Sequence, residues 1–196
     1  MNIKKNVGLG VVFGLLILAT GCGKKVERIG LDEPRDLSGR WNDTDSRLVS
    51  EAMIEDCLAR PWINQHREEH AESPTVIVGT VLNRTDEHVV SQTFTKDLER
   101  AFINSGMVQV VAASDQREEV RQERSDMQEH ASDETLKEFM REEGADFMLT
   151  GVINSIRDQE GREEVIFYQV NLELINIETN RKVWIGDKQI RKYIRS

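Results

Sequence analysis

Cysteine is nearly missing from this chain, with two in 196 residues, at positions 22 and 57. Two thiols cannot build the set of bridges that holds a small disulfide-rich domain together, so the fold must rest on an apolar core. Proline is almost as scarce, at three, which excludes a proline-rich low-complexity chain. An excess of cations is missing as well: 26 Lys and Arg stand against 35 Asp and Glu, a formal net charge of −9. That balance argues against nucleic acid as a partner, because neutralising phosphates takes clustered cations. Also lacking are a Gly-x-Ser-x-Gly elbow, a phosphate-cradling glycine loop and a G-x-G-x-x-G turn. No group of residues supplies nucleophile, base and oxyanion donors together, so the chain reads as a binding module with no catalytic residue and no cofactor. What it does have is Val, Ile and Leu gathered in short runs, in a length that suits one domain.

The first such run lies in the leader. Lys4 and Lys5 precede an apolar stretch from Val7 to Leu18, too short for the roughly 30 Å of a bilayer core. The pattern is that of a secretory signal peptide. It ends in Leu18-Ala19-Thr20-Gly21-Cys22, small residues before a cysteine that resemble the bacterial lipobox, with Ala19 where a branched aliphatic is usual. The resemblance implies cleavage before Cys22 and lipidation of that residue. The alternatives are an ordinary exported protein with an incidental Cys22, or an uncleaved anchor. Gly23 would follow the lipidated residue, and by resemblance to lipoprotein sorting rules this implies the outer membrane. Losing Lys4 and Lys5 and no acid would take the net charge to −11. The second thiol, Cys57, falls on an apolar stripe with Val49 and Met53 at helical spacing and reads as a buried structural residue.

The expected layout is a signal peptide over 1–21, a lipidated tether over 22–43 and one domain over 44–196. The tether carries glycines, a proline and alternating charge without periodicity. Asp43 to Ser46 are cap residues before a 3.6-residue apolar pattern, which predicts a helix over about 45–60, ended or kinked by Pro61 and Trp62. The polar stretch 64–73 carries no predicted element. Thr75 to Leu82 is a β-branched strand. Val89 to Phe102 reads as a second amphipathic helix, stopped by Asn104-Ser105-Gly106. A strand over 107–112 follows, then a charged stretch over 114–132 that suits an exposed helix or a mobile excursion. A third helix with Leu136, Phe139 and Met140 inward is predicted next. Strands over 147–153, 165–177 and about 183–190 close the chain. The fold class is α/β (α+β): a single mixed sheet of four or five strands, parallel in its first half, with about three helices mainly on one face.

Two clusters could carry function. His66-Arg67-Glu68-Glu69-His70 fits the H-x-x-E-H pattern of inverted zinc peptidases. A metal site also needs a third protein ligand, and nothing singles one out among acids such as Glu142 and Glu143. With no apolar flank for a dry cavity, His66, Glu69 and His70 are read as a solvated face or helix end and rejected as a metal site. His88 and His130 stand alone and read as surface imidazoles. The second cluster, Arg181, Lys182, Lys188, Arg191 and Lys192, makes a basic C-terminal edge on an acidic body. It serves either to keep a strand edge from aggregating or to meet an acidic partner.

Cys22, the string Asp36-Leu-Ser-Gly-Arg-Trp-Asn-Asp-Thr-Asp45, the strand Thr75 to Leu82 and the strand from Asp146 to Val152 resemble the LpoB-type penicillin-binding-protein activators, over about 36–192. The resemblance implies a fold like the N-terminal domain of TolB. It also implies an outer-membrane lipoprotein facing the periplasm that binds the regulatory region of a bifunctional peptidoglycan synthase and activates it allosterically. Arg40, Trp41, Lys188, Arg191 and Lys192 are the candidate partner-binding residues, with Trp41 equally able to close the core. The membrane is met through the lipid alone, and the protein is expected to be monomeric. The alternative is a structural subunit of an envelope assembly or secretion apparatus, which self-association would reveal. The tether is shorter than in the best-known activators, and the acidic stretch from Asp115 to Asp133 is longer than a minimal crossover.

Overall fold

The computed structural model describes residues 26–30, 33, 35–128 and 144–195. The first helix, α1 (Asp43–Leu58), starts one turn before the apolar pattern does, because Asn42 forms a capping box with Asp45. The Asp45 amide donates to Asn42 Oδ1 at 3.1 Å, and the Asn42 amide donates to Asp45 Oδ2 at 2.9 Å. Two otherwise orphaned amides are thereby satisfied. Val49, Met53, Ile54 and Cys57 are the buried stripe, and burial pushes the Cys57 thiol up to about 12, where it stays protonated and inert. Pro61 does not simply end this helix. It sits at the N-cap of α2 (Trp62–His70), where a missing N–H costs nothing. The Trp62 indole N–H donates back to the Cys57 carbonyl at 2.8 Å, a second donor beside the Arg60 amide at 3.3 Å.

The strand β1 (Thr75–Arg84) buries Val76, Val78 and Val81; a register shift between Val78 and Val81 breaks the two-residue period. Helix α3 (Ser91–Ser105) places Phe94, Leu98 and Phe102 fully inside. Gly106 ends it in the left-handed region at φ 63°, which a glycine adopts without cost. The strand β2 (Gln109–Val110) is two residues long, and α4 (Ser114–Gln128) follows with its charges over 114–123 exposed, save the half-buried Arg117. The predicted helix at Leu136, Phe139 and Met140 lies outside the described residues. The chain ends in a meander of three 14-residue strands, β3 (Phe147–Glu160), β4 (Glu163–Asn176) and β5 (Lys182–Arg195).

The sheet order is β2-β1-β3-β4-β5. β1 pairs in parallel with both β2 and β3, and β3-β4-β5 are antiparallel, so the mixed sheet read from the sequence is the one observed. The helix count differs: four are present among the described residues, because α2 occupies the polar stretch that carried no predicted element. Along β4, Ile166, Tyr168, Val170, Leu172 and Leu174 are all at most 1% exposed. Val170, Leu172 and Leu174, with Val49, Ile54, Phe94, Leu98 and Phe102 of α1 and α3, belong to the core beneath one face. Each buried aliphatic or aromatic contributes about 1.5–3 kcal/mol of transfer free energy, opposed by the entropy of ordering the chain.

Candidate functional site

Helix α1 runs beneath β5, and the segment Asp36–Trp41 lies across the N-terminal end of one and the C-terminal end of the other. Lys192, on the inward side of β5, makes this junction. Its ammonium donates to the Arg40 carbonyl at 2.8 Å and to Asp45 Oδ2, and pairs with Asp36 Oδ2 at 2.7 Å. Its side chain is only 9% exposed, so a charge that would otherwise be expensive to bury is matched on three sides. Asp36 feels opposing influences. Its desolvation raises the carboxyl, and the Lys192 hydrogen bond and the Gly39 amide together bring it below the usual aspartate value. Gly39, at φ 68°, lies so close to Ile194 that a Cβ would overlap that side chain. Segment 36–41, placed in the tether on sequence grounds, is therefore packed on the domain.

Trp41 completes the same corner from the other side. Its ring meets Phe94 and Tyr168 edge-on, at centroid distances of 6.0 and 5.6 Å, and its indole N–H donates to Ser46 Oγ at 2.8 Å. Its backbone amide is shared between Tyr168 Oη at 3.1 Å and Glu87 Oε2 at 3.3 Å. Tyr168 in turn donates to Glu87 Oε2 at 2.7 Å, and Arg157 Nη2 donates to Glu87 Oε1 at 2.9 Å. Arg157 also pairs with Asp86 and Glu164. Burial, reinforced by the Glu87 carboxylate, pushes the Tyr168 phenol well above its ordinary value, which keeps it a donor. The sequence reading missed this network. Its signal is the tyrosine on an otherwise aliphatic inward face, a hydroxyl that must find a buried partner.

The five candidate contact residues divide into two groups. Trp41 and Lys192 are consumed internally. Among the described residues, the side chains of Arg40 and Lys188 have no acidic partner, and Arg191 lies over the Phe167 ring, 5.9 Å from its centroid. The three are exposed on or beside β5. That strand carries Lys182, Lys188, Arg191, Lys192 and Arg195 against one acid, Asp187. Of these, Lys182 is engaged by Glu173 at 2.7 Å and Arg195 by Glu163 at 3.8 Å.

At the other end of β5, Trp184 donates its indole N–H to Asp56 Oδ2 at 2.8 Å, and Arg60 pairs with the same carboxylate. The Trp184 bond, opposed by burial and assisted by Arg60, holds Asp56 below the ordinary 3.8. A lowered folded value means that this group's contribution is present above about pH 3.8 and is lost as pH falls through the folded value. Carboxyl-carbon NMR titration is expected to give a midpoint below 3.8, moving back up in Trp184→Phe; an unmoved midpoint would remove Trp184 as the cause.

His66 and His70 lie one turn apart on α2 with ring centroids 4.5 Å apart. The expectation of a solvated face is corrected for His66, which is 7% exposed, packs edge-on against Phe147 and faces Asp146 Oδ2 at 3.5 Å. Asp146 is itself occupied, accepting from the Thr75 amide at 2.8 Å. Glu69 and His70 remain exposed. Among the described residues no group of three or more His, Cys, Asp or Glu is placed to hold a metal ion. Glu142, Glu143 and His130 lie outside the described residues, as does Cys22, and His88 is exposed.

The model of the peptidoglycan-synthase activator LpoB family matches residues 45–190, which spans the chain from the capping box to the last strand. The chain belongs to the LpoB family. Solved structures that it resembles include LpoB of Escherichia coli, by NMR, at 14% identity and TM-score 0.43, covering all of this chain and 93% of that one. The LpoB C-terminal domain of Salmonella enterica matches at 17% identity and TM-score 0.36, covering 66% and 93%. Lipoprotein GNA1162 of Neisseria meningitidis matches at 16% identity and TM-score 0.41, covering 61% and 83%. No curated protein matches the chain. The LpoB family match takes in β5 through Ile190 and stops short of the Lys192 junction.

Proposed function

We propose that this LpoB-family chain is a lipoprotein, anchored through Cys22 in the outer membrane, that docks on the periplasmic regulatory region of a bifunctional peptidoglycan synthase and activates it. The observation that carries the reading is the family match over 45–190. The contact surface is the basic edge: Arg40, Lys188 and Arg191 present cations with no acidic partner among the described residues, while Trp41 and Lys192 hold the Arg40 backbone against β5. On a body of net charge −9, such an edge attracts an acidic partner and orients its approach. Activation requires that docking favour the synthase's active conformation. A tenfold population shift takes about 1.4 kcal/mol of differential affinity.

The test is binding of the chain from Cys22 onward, in detergent micelles, to the host's bifunctional synthases, with glycan polymerisation recorded in the same samples. Micromolar or tighter binding with acceleration is expected. The double substitution Lys188→Glu and Arg191→Glu should weaken binding at least tenfold with the melting temperature unchanged. A folded chain that binds none of the synthases would overturn the proposal.

A further inference from the structure

The two edges of the sheet are unlike. At one, β2 is two residues long; at the other, β5 is 14 residues long and pairs with β4 along its length. Exposed edges invite pairing with further strands, and proteins usually shorten, cover or bulge them. The β2 edge is shortened. Apart from a register shift at Val183, near its start, the β5 edge has none of these protections before segment 36–41. Helix α1 packs beneath its inward side, at Trp184 and Lys192, and segment 36–41 reaches only its last residues. Among the described residues no main-chain hydrogen bond joins β5 to anything but β4.

What guards this edge is charge of one sign: of its five cations, Lys188 and Arg191 have no acidic partner among the described residues. Such a guard is selective. A second copy of β5 laid alongside would bring like charges together, which is destabilising in a cross-strand pair. An acidic strand would meet Lys188 on the α1 side of the sheet and Arg191 on the other side with alternate side chains, and the open N–H and C=O groups with its main chain.

We infer that the outer edge of β5 accepts an extended acidic segment of the synthase by strand addition, making that segment a sixth strand of the sheet. This rests on the proposed function for the source of the segment. The charge pattern and open edge are this chain's own.

The test is residue-resolved amide exchange on the chain from Cys22 onward, in micelles, with three ten-residue peptides: a Glu–Val peptide of repeating Glu-Glu-Val-Val, which puts Glu on both faces of a strand, the same peptide N-methylated at every residue, and a Lys–Val peptide of repeating Lys-Lys-Val-Val. The Glu–Val peptide is expected to slow exchange at least tenfold at alternate β5 amides, those facing outward, since the others already bond to β4. The N-methylated and Lys–Val peptides should leave the pattern unchanged, and Lys188→Glu with Arg191→Glu should abolish it. Equal binding of the N-methylated peptide, or exchange slowed without alternation, would reduce the edge to a charge contact and overturn the inference. The periplasmic region of a synthase serves as a separate arm. Binding and activation without alternate protection on β5 would overturn strand addition and leave the activator reading standing. Alternate protection by the Glu–Val peptide with no synthase binding would support the edge as an acceptor and remove the synthase as its source.

Discussion

Replacing Glu87 with alanine is expected to cost about 3 kcal/mol of folding stability, the lower end of what removing one partner of a buried ion pair costs. The carboxylate is 4% exposed and receives three donors from three parts of the chain: the Tyr168 hydroxyl, the Trp41 amide and Arg157. Without it the hydroxyl and the amide retain only each other. Arg157 keeps Asp86 and Glu164 and is 28% exposed, which is why the cost does not reach the top of the range. In a chain of this size the loss corresponds to a melting temperature lower by roughly 6–12 °C. Glu87→Gln keeps an acceptor for Tyr168 and should lose about half as much. Thermal unfolding of both variants checks this; an alanine variant within about 0.5 kcal/mol of the parent would mean that the network does not hold the corner. The loop carrying Glu87 is itself braced, with Asn83 Nδ2 donating to the Glu87 carbonyl at 2.8 Å, so the effect reports on the carboxylate and not on a wandering loop.

Lys192→Met should cost about 2 kcal/mol and, more tellingly, release the arm. Methionine fills much of the space of the lysine stem but takes the charged donor from Asp45, 11% exposed and left with the Asn42 amide, and the donor from the Arg40 carbonyl. Asp36 is 43% exposed and turns to water at little cost. Segment 36–40 then loses the lysine tie to β5 and keeps the Gly39–Ile194 contact. Amide exchange at Gly39, now bonded to Asp36 Oδ1 at 2.8 Å, is expected to accelerate by tenfold or more, with β3 and β4 unchanged. Equal acceleration throughout the sheet would show that Lys192 supports the whole domain and not this junction.

The sheet was legible because its strands carry their burial in their pattern. The alternation from Ile166 to Leu174 is the inward face of β4, and the β-branched run at Thr75 is β1. Two elements were less legible. Helix α2 hides in Gln, Glu, Arg and His residues because only Trp62, Ile63 and His66 are buried, too few to set up a periodicity. The capping residue of α1 is Asn42 and not one of the four residues after it, a difference of one position that only the reciprocal bond with Asp45 decides. The candidate contact residues were legible as a charge cluster and not as a division of labour. Sequence shows that Arg191 and Lys192 are neighbours. That one faces the open side of β5 and the other is sealed beneath it follows from strand alternation once the inward face is known.

The Lys192 junction also decides where the molecule can be labelled. Because Arg40 and Gly39 lie against Lys192 and Ile194, the chain enters the domain beside the point where its last strand ends. A fluorescent protein joined at the C-terminus would follow β5 directly and crowd the segment from Asp36 to Arg40. The turn at Glu178–Asn180 lies at the opposite end of β5, 14 residues away, or roughly 45 Å at strand rise. A small epitope inserted there would lie far from that segment.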